Sequence, residues 1–138
     1  MPRILLDAGP LVALFSERET RHAWVKEQFA GWTEPCVTCE PVVTESFHLL
    51  GKVRGGTAAL RTALREGLVV LDFNFRTELA AVLDLMERYE NVPMSLADAC
   101  LVRMAEMSPG ARVFTLDGDF RVYRKNKVET IDVTAPFA

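Results

Sequence analysis

"ILLDAGPLVALF", residues 4–15, runs through three apolar residues into Asp7, turns at Gly9 and Pro10, and resumes as an apolar stretch. The short run from Arg3 to Leu6 has the shape of a strand buried on both faces. Pro10 suits the first turn of a helix carrying Leu11, Leu14 and Phe15. This reading puts Asp7 at the carboxyl end of a strand, where open parallel sheets collect their ligands.

The same alternation continues along the chain. RHAWVKEQFAGW (21–32) has Ala23, Trp24 and Phe29 near helical spacing, and CVTC (36–39) reads as a second short strand. Pro41 restarts a helix through VVTESFHLL, with Val42, Phe47, Leu49 and Leu50 as core positions. After a break at Gly55 and Gly56, TAALRTALREG predicts a helix with Leu60 and Leu64 one turn apart and Gly67 as its stop. LVVL (68–71) is a third buried-type strand.

FRTELAAVLDLMERYE is the clearest helix, because Phe75, Leu79, Val82, Leu83, Met86 and Tyr89 recur at steps of three and four. Ser95 opens another helix in SLADACLVRMAE. ARVFTL (111–116) predicts a fourth strand ending in Asp117, and ETIDV (129–133) a last one. Parallel neighbours need crossover connections, so strands alternating with helices imply an α/β fold. The expected architecture is a three-layer α/β/α sandwich around a central, mainly parallel sheet of four to five strands.

The chain has 138 residues, 49% of them hydrophobic, which suffices for one core, and no linker-like run divides it; a single domain over 1–138 is expected. Lys and Arg number 16 against 19 Asp and Glu, so net charge alone does not advertise a nucleic-acid binder. No apolar run approaches the ~20 residues that span a bilayer, and Asp7 interrupts the start too early for a signal peptide. With three cysteines, too few for a disulfide framework, the expectation is a soluble cytoplasmic protein with free thiols.

Four acids fall at comparable places: Asp7 after the first strand, Glu45 early in the helix after the second, Asp98 in the first turn of its helix, and Asp117 after the fourth strand. Each has a plain structural reading. Asp7 can cap the following helix, Asp98 completes a capping box with Ser95, Asp117-Gly118 can form a turn, and Glu45 can be a solvated helix residue. Gathered at one sheet edge they require compensation, since like charges at ~4 Å repel by about 4 kcal/mol at an effective dielectric of about 20. Oxygen-only ligands select hard cations such as Mg²⁺ or Mn²⁺, which can orient and activate a water for attack on a phosphodiester.

The order LLDAGPLVALF, VVTESFHLL, SLADACLVRMAE and VFTLDGDF resembles the PIN-domain ribonucleases, particularly the VapC-type toxins of toxin-antitoxin pairs, from about Arg3 to Val133. The resemblance implies a PIN-like sandwich and an Mg²⁺- or Mn²⁺-dependent endoribonuclease. It marks Asp7, Glu45, Asp98 and Asp117 as catalytic acids, with Asp7, Asp98 and Asp117 on the metal, Asp119 as an accessory acid, and Thr115 as a hydroxyl beside the fourth acid. It also implies a homodimer, a small antitoxin partner and a structured RNA target such as tRNA. The chain departs from the family pattern at Ala8, where Thr or Ser commonly follows the first aspartate.

Basic residues near an acidic pocket let phosphates approach it. Lys52, Arg54, Arg61 and Arg65 form one candidate RNA-binding cluster, and Arg121, Arg124, Lys125 and Lys127 a second. Both also read as ordinary solvated surface.

Other signals carry less. CVTC faintly resembles a redox dithiol but leaves the four acids unexplained; zinc would need ligands from Cys100, His22 or His48 at no recognised spacing. His48 packs within its helix or touches the rim of the acidic site. GKVRGGT lacks the order of a phosphate-binding loop, and DAG lacks the DxD of aspartyl-phosphate enzymes. Two alternatives to a nuclease remain: a catalytically weak PIN-fold module that binds RNA or protein, and a receiver-like phosphoacceptor using Asp72.

Overall fold

A computed structural model describes residues 3–137. β1 (Ile4–Leu6) is buried along its whole length and occupies the middle of a five-stranded sheet. On one side lie β2 (Cys36–Thr38) and then β3 (Val69–Leu71); on the other lie β4 (Arg112–Phe114) and then β7 (Val133–Thr134). Every pairing in this sheet is parallel, with Leu5 opposite both Val37 and Val113. Strand order reverses at β1, because the chain builds outward through β2 and β3 before returning to β4. The crevice between the carboxyl ends of β1 and β4 is therefore the topological switch point, where open α/β sheets bind ligands.

Helices complete the sandwich: α1 (Ala8–Leu14), α2 (His22–Ala30), α3 (Glu40–Leu50), α4 (Gly56–Arg65), α5 (Phe75–Arg88) and α6 (Leu96–Met107). α6 packs on β1, β4, α3 and α5 and buries Ala97, Ala99, Cys100, Leu101, Val102, Met104 and Ala105. Small residues on this helix allow such close approach. Phe114, the last residue of β4, is fully buried and has Trp24, Phe29 and Trp32 around its ring at centroid distances of 5.6, 5.5 and 4.9 Å. Such aromatic pairs add about 0.5–1.5 kcal/mol each beyond the area they bury, and they clamp β4 one residue before Thr115.

The predicted alternation and parallel sheet are present, with several local differences. In α5 the buried residues are Val82 and Leu85, whereas Leu79 and Leu83 are 43% and 47% exposed. Phe75, Val82, Met86 and Tyr89 face the core as helical spacing predicts, and Leu85 takes the place expected of Leu79 and Leu83. Leu49 is likewise exposed at the end of α3. β3 is not buried on both faces: it is the sheet edge, and Val70 and Leu71 are exposed.

ETIDV is not one strand. Glu129–Thr130 pairs antiparallel with Arg124–Lys125 as a separate ribbon of β5 and β6, and the sheet is closed by Val133–Thr134. Asn126 and Lys127, both at positive φ, turn the chain between the two ribbon strands. α1 begins at Ala8, so Pro10 is its third residue. Gly67, at φ 78°, follows α4 as expected of a helix stop.

Candidate active site

Asp7 sits where β1 ends and α1 begins, 7% exposed, with its backbone N–H donated to Phe114 O across the switch point. Its Oδ1 accepts the Ala8 N–H at 2.8 Å, and its Oδ2 accepts the Thr115 hydroxyl at 2.6 Å. Thr115, fully buried just past β4, also accepts the Asp117 N–H on its Oγ1 at 2.9 Å. One hydroxyl thus ties the first acid to the backbone of the fourth. Ala8 is buried at 3% exposure and offers no hydroxyl, so the side-chain hydroxyl that meets Asp7 is that of Thr115.

Asp117 caps the short 3₁₀ turn Gly118–Arg121, its Oδ1 accepting the Asp119 N–H at 2.9 Å. Asp98 completes the capping box of α6: its Oδ2 accepts the Ser95 N–H and its own N–H goes to Ser95 Oγ, each at 3.0 Å. The Tyr123 hydroxyl donates to Pro93 O and stands 3.3 Å from Asp98 Oδ2. Every capping reading of Asp7, Asp98 and Asp117 is therefore realised in the fold. The caps and the cluster are the same carboxylates.

Asp7, Glu45, Asp98 and Asp117 line one hollow of about 380 Å³, together with Ala8, Gly9, Ser95 and Leu116. Glu45 reaches it from an exposed position on α3. Asp119 is not part of its wall and serves Asp117 through its backbone N–H. Among the described residues, no three acidic, histidine or cysteine side chains stand close enough to hold one metal ion.

Burial, reinforced by the charges of Asp98 and Asp117, pushes the Asp7 carboxyl up to about 6 against the opposing pull of Thr115 and the Ala8 N–H. Burial and Asp117 also raise Asp98, opposed by Ser95 and Tyr123. The Tyr123 phenol is held above its ordinary range by burial and by the nearby charge of Asp98, so it remains a donor. Nothing in the residue spacing announces Tyr123, which lies 25 positions from Asp98.

The basic candidates divide. Lys52, Arg54, Arg61 and Arg65 are exposed beyond the far end of α3 and on α4, and none lines the acidic hollow. Arg121 lies on the turn that Asp117 caps, with its guanidinium 4.4 Å from the Phe137 ring centre. Arg124 Nη1 is spent on the carbonyls of Arg121, Val122 and Tyr123, while Lys125 and Lys127 belong to the ribbon and its turn. CVTC is no exposed dithiol: Cys36 and Cys39 are buried and free, and burial pushes the Cys36 thiol up to about 12. His48 borders an apolar groove beside the hollow, not the hollow itself.

No described helix is long and apolar enough to cross a membrane. The chain matches the PIN domain family over residues 4–126. Among solved structures it is similar to the crystal structure of VapC20 from Mycobacterium tuberculosis, a toxin that cleaves the sarcin-ricin loop. The TM-score is 0.73 and the identity 23%, covering 91% of this chain and 98% of that one. At that identity the likeness bears on the fold. A search among curated proteins finds no match.

Proposed function

The chain belongs to the PIN domain family, and on that premise we propose that it is a metal-dependent endoribonuclease, the toxin of a toxin-antitoxin pair. The observation that carries the reading is the meeting of Asp7, Glu45, Asp98 and Asp117 in one hollow at the switch point of a parallel sheet. The substrate class is RNA. A small antitoxin partner, a homodimer and a structured target such as tRNA follow from the same reading.

The donor set suits a hard divalent cation, Mg²⁺ or Mn²⁺, because it consists of carboxylate oxygens alone. Asp98 Oδ1 and Asp117 Oδ2 accept no hydrogen bond among the described residues, and the charges of Asp98 and Asp117, which add to burial in raising Asp7, are the field a cation relieves. Asp7, Asp98 and Asp117, with Glu45, would hold it through bridging waters, which Mg²⁺ commonly keeps, because the carboxylates border one hollow without converging on a single point. When bound, such an ion supplies a Lewis acid for a phosphate oxygen and lowers the pKa of a water.

The chain's own groups set the rest. Thr115 holds Asp7 Oδ2 and the Asp117 backbone in fixed relation, and Ser95 with Tyr123 holds Asp98 Oδ2, so the remaining carboxylate oxygens are presented to the hollow. Glu45, exposed where it borders the hollow, is placed to accept a proton from an attacking water. Arg121, on the turn that Asp117 caps, would draw a phosphate towards this rim.

The deciding experiment is cleavage of a mixed RNA pool with Mg²⁺ or Mn²⁺ by the wild type, Asp7→Asn and Asp98→Asn. The expected result is cleavage by the wild type alone. Equal cleavage by all three overturns the assignment and leaves Asp7, Asp98 and Asp117 as helix caps and Glu45 as a solvated helix residue, the behaviour of a binding module.

A further inference from the structure

A second, larger hollow of about 680 Å³ adjoins the acidic one, and Glu45 and Ser95 belong to the walls of both. Its volume lies within the ~300–1,000 Å³ of small-molecule sites. Pro41, Phe75 and Leu96 supply its apolar part, and Glu40, Thr44 and His48 its polar part. Phe75 is half-buried at the start of α5, Leu96 is 37% exposed at the start of α6, and Glu40, Thr44 and His48 are exposed along α3.

The lining is mainly apolar, and its small polar part offers acceptors. Glu40 carries a carboxylate, and the Thr44 hydroxyl spends its proton on the Glu40 carbonyl at 2.9 Å, so towards a ligand it can act only as an acceptor. Two rings, Phe75 and His48, border the same space. Single-stranded RNA is recognised by bases splayed onto aromatic side chains and hydrogen-bonded along their edges. Among the four bases, guanine presents two adjacent donors, N1–H and the N2 amine, on its Watson–Crick edge, the pattern a carboxylate accepts.

We propose that this groove is a base-recognition subsite that takes one unstacked guanine of the RNA substrate, stacked by Phe75 and read by Glu40, while the adjoining phosphate lies at the acids. The proposal rests on the nuclease reading for its choice of RNA as occupant. Continuity through Glu45 and Ser95 ties the two hollows together. Glu40 is then a specificity residue, not a catalytic one.

The test uses the full chain, labelled with ¹⁵N and free of metal, titrated with guanosine, adenosine, cytidine and uridine. Guanosine is expected to shift the amides of Thr44, His48, Leu96 and Ala97 at concentrations about tenfold below the other three. Glu40→Gln should erase that preference, and Thr44→Trp, at an exposed position, should fill the groove and abolish the shifts. In cleavage of a single-stranded RNA with one guanine, replacing guanine by inosine, which lacks the N2 amine, should raise KM about tenfold with little change in kcat.

Equal shifts by all four nucleosides, shifts that survive Thr44→Trp, or indifference of RNA cleavage to inosine each overturn the subsite. Absence of metal-dependent RNA cleavage in a protein that binds guanosine at these amides sinks the nuclease reading, and with it RNA as the occupant. Cleavage abolished by Asp98→Asn but blind to Glu40→Gln sinks the subsite alone.

Discussion

Thr115 Oγ1 donates to Asp7 Oδ2 at 2.6 Å and accepts the Asp117 N–H at 2.9 Å, so a single buried hydroxyl joins the end of β1 to the turn after β4. Removing it leaves a buried carboxylate short of a donor and a backbone N–H short of an acceptor. Thr115→Val keeps the shape and removes both bonds; at about 1–3 kcal/mol for an unsatisfied buried group, it should cost about 3 kcal/mol in chemical denaturation. Thr115→Ser should recover most of that loss. A Thr115→Val protein as stable as wild type would remove the hydroxyl from its bridging role.

Asp7 should make the metal-free protein less stable at neutral pH than its own asparagine variant. Its carboxyl lies at about 6 in the fold against 3.8 ordinarily, so the folded state binds this proton more tightly than the unfolded chain does. The stability cost of ionisation is absent below about pH 4, grows as pH rises to about 6, and is complete above that. At about 1.4 kcal/mol per unit it reaches about 3 kcal/mol. Thermal melts in chelator should therefore show Asp7→Asn above wild type at pH 7 and level with it at about pH 3.5; a variant less stable at pH 7 contradicts the assignment.

A cation held by the acids should reverse that disadvantage. A ligand that binds only the folded state stabilises it by about 2.7 kcal/mol at 100-fold excess over its dissociation constant. Adding Mn²⁺ should raise the melting temperature of the wild type and have little effect on Asp98→Asn or Asp117→Asn. Equal shifts in all three would place the ion elsewhere.

On α5, Val82→Ala and Leu85→Ala should each cost about 2 kcal/mol or more, because both side chains are buried. Leu79→Lys and Leu83→Lys, at exposed positions, should change the stability of the isolated chain by no more than about 0.5 kcal/mol. Urea unfolding of the four variants separates the buried positions of α5 from Leu79 and Leu83, which helical spacing assigns to the core and the fold leaves exposed.

Much of the architecture is legible in residue order. Asp7 and Asp117 each close an apolar run, and Ser95 with Asp98 spells a capping box that forms as written. What escapes is whatever depends on neighbours far along the chain. LVVL reads the same at a sheet centre or edge, and only the strand order exposes Val70 and Leu71. Leu79 and Leu83 satisfy the helical period, yet the seat of α5 on α6 turns them outward.

The candidate site divides in the same way. Its acids stand at strand ends and helix starts, positions a sequence displays, whereas Tyr123 reaches Asp98 only because the turn after β4 folds back over the start of α6. Thr115 could be named beforehand, but not its bond to Asp7, which joins residues 108 positions apart.

This separation bears on timing during biosynthesis. Local segments such as α3 or α6 can form as they are made, but the Asp7–Thr115 bond closes a long-range loop, the kind of contact that is late and slow to form. The hollow cannot exist until β4 docks beside β1. Any activity residing there is withheld from a nascent chain until Asp117 has been synthesised and its strand has found its place.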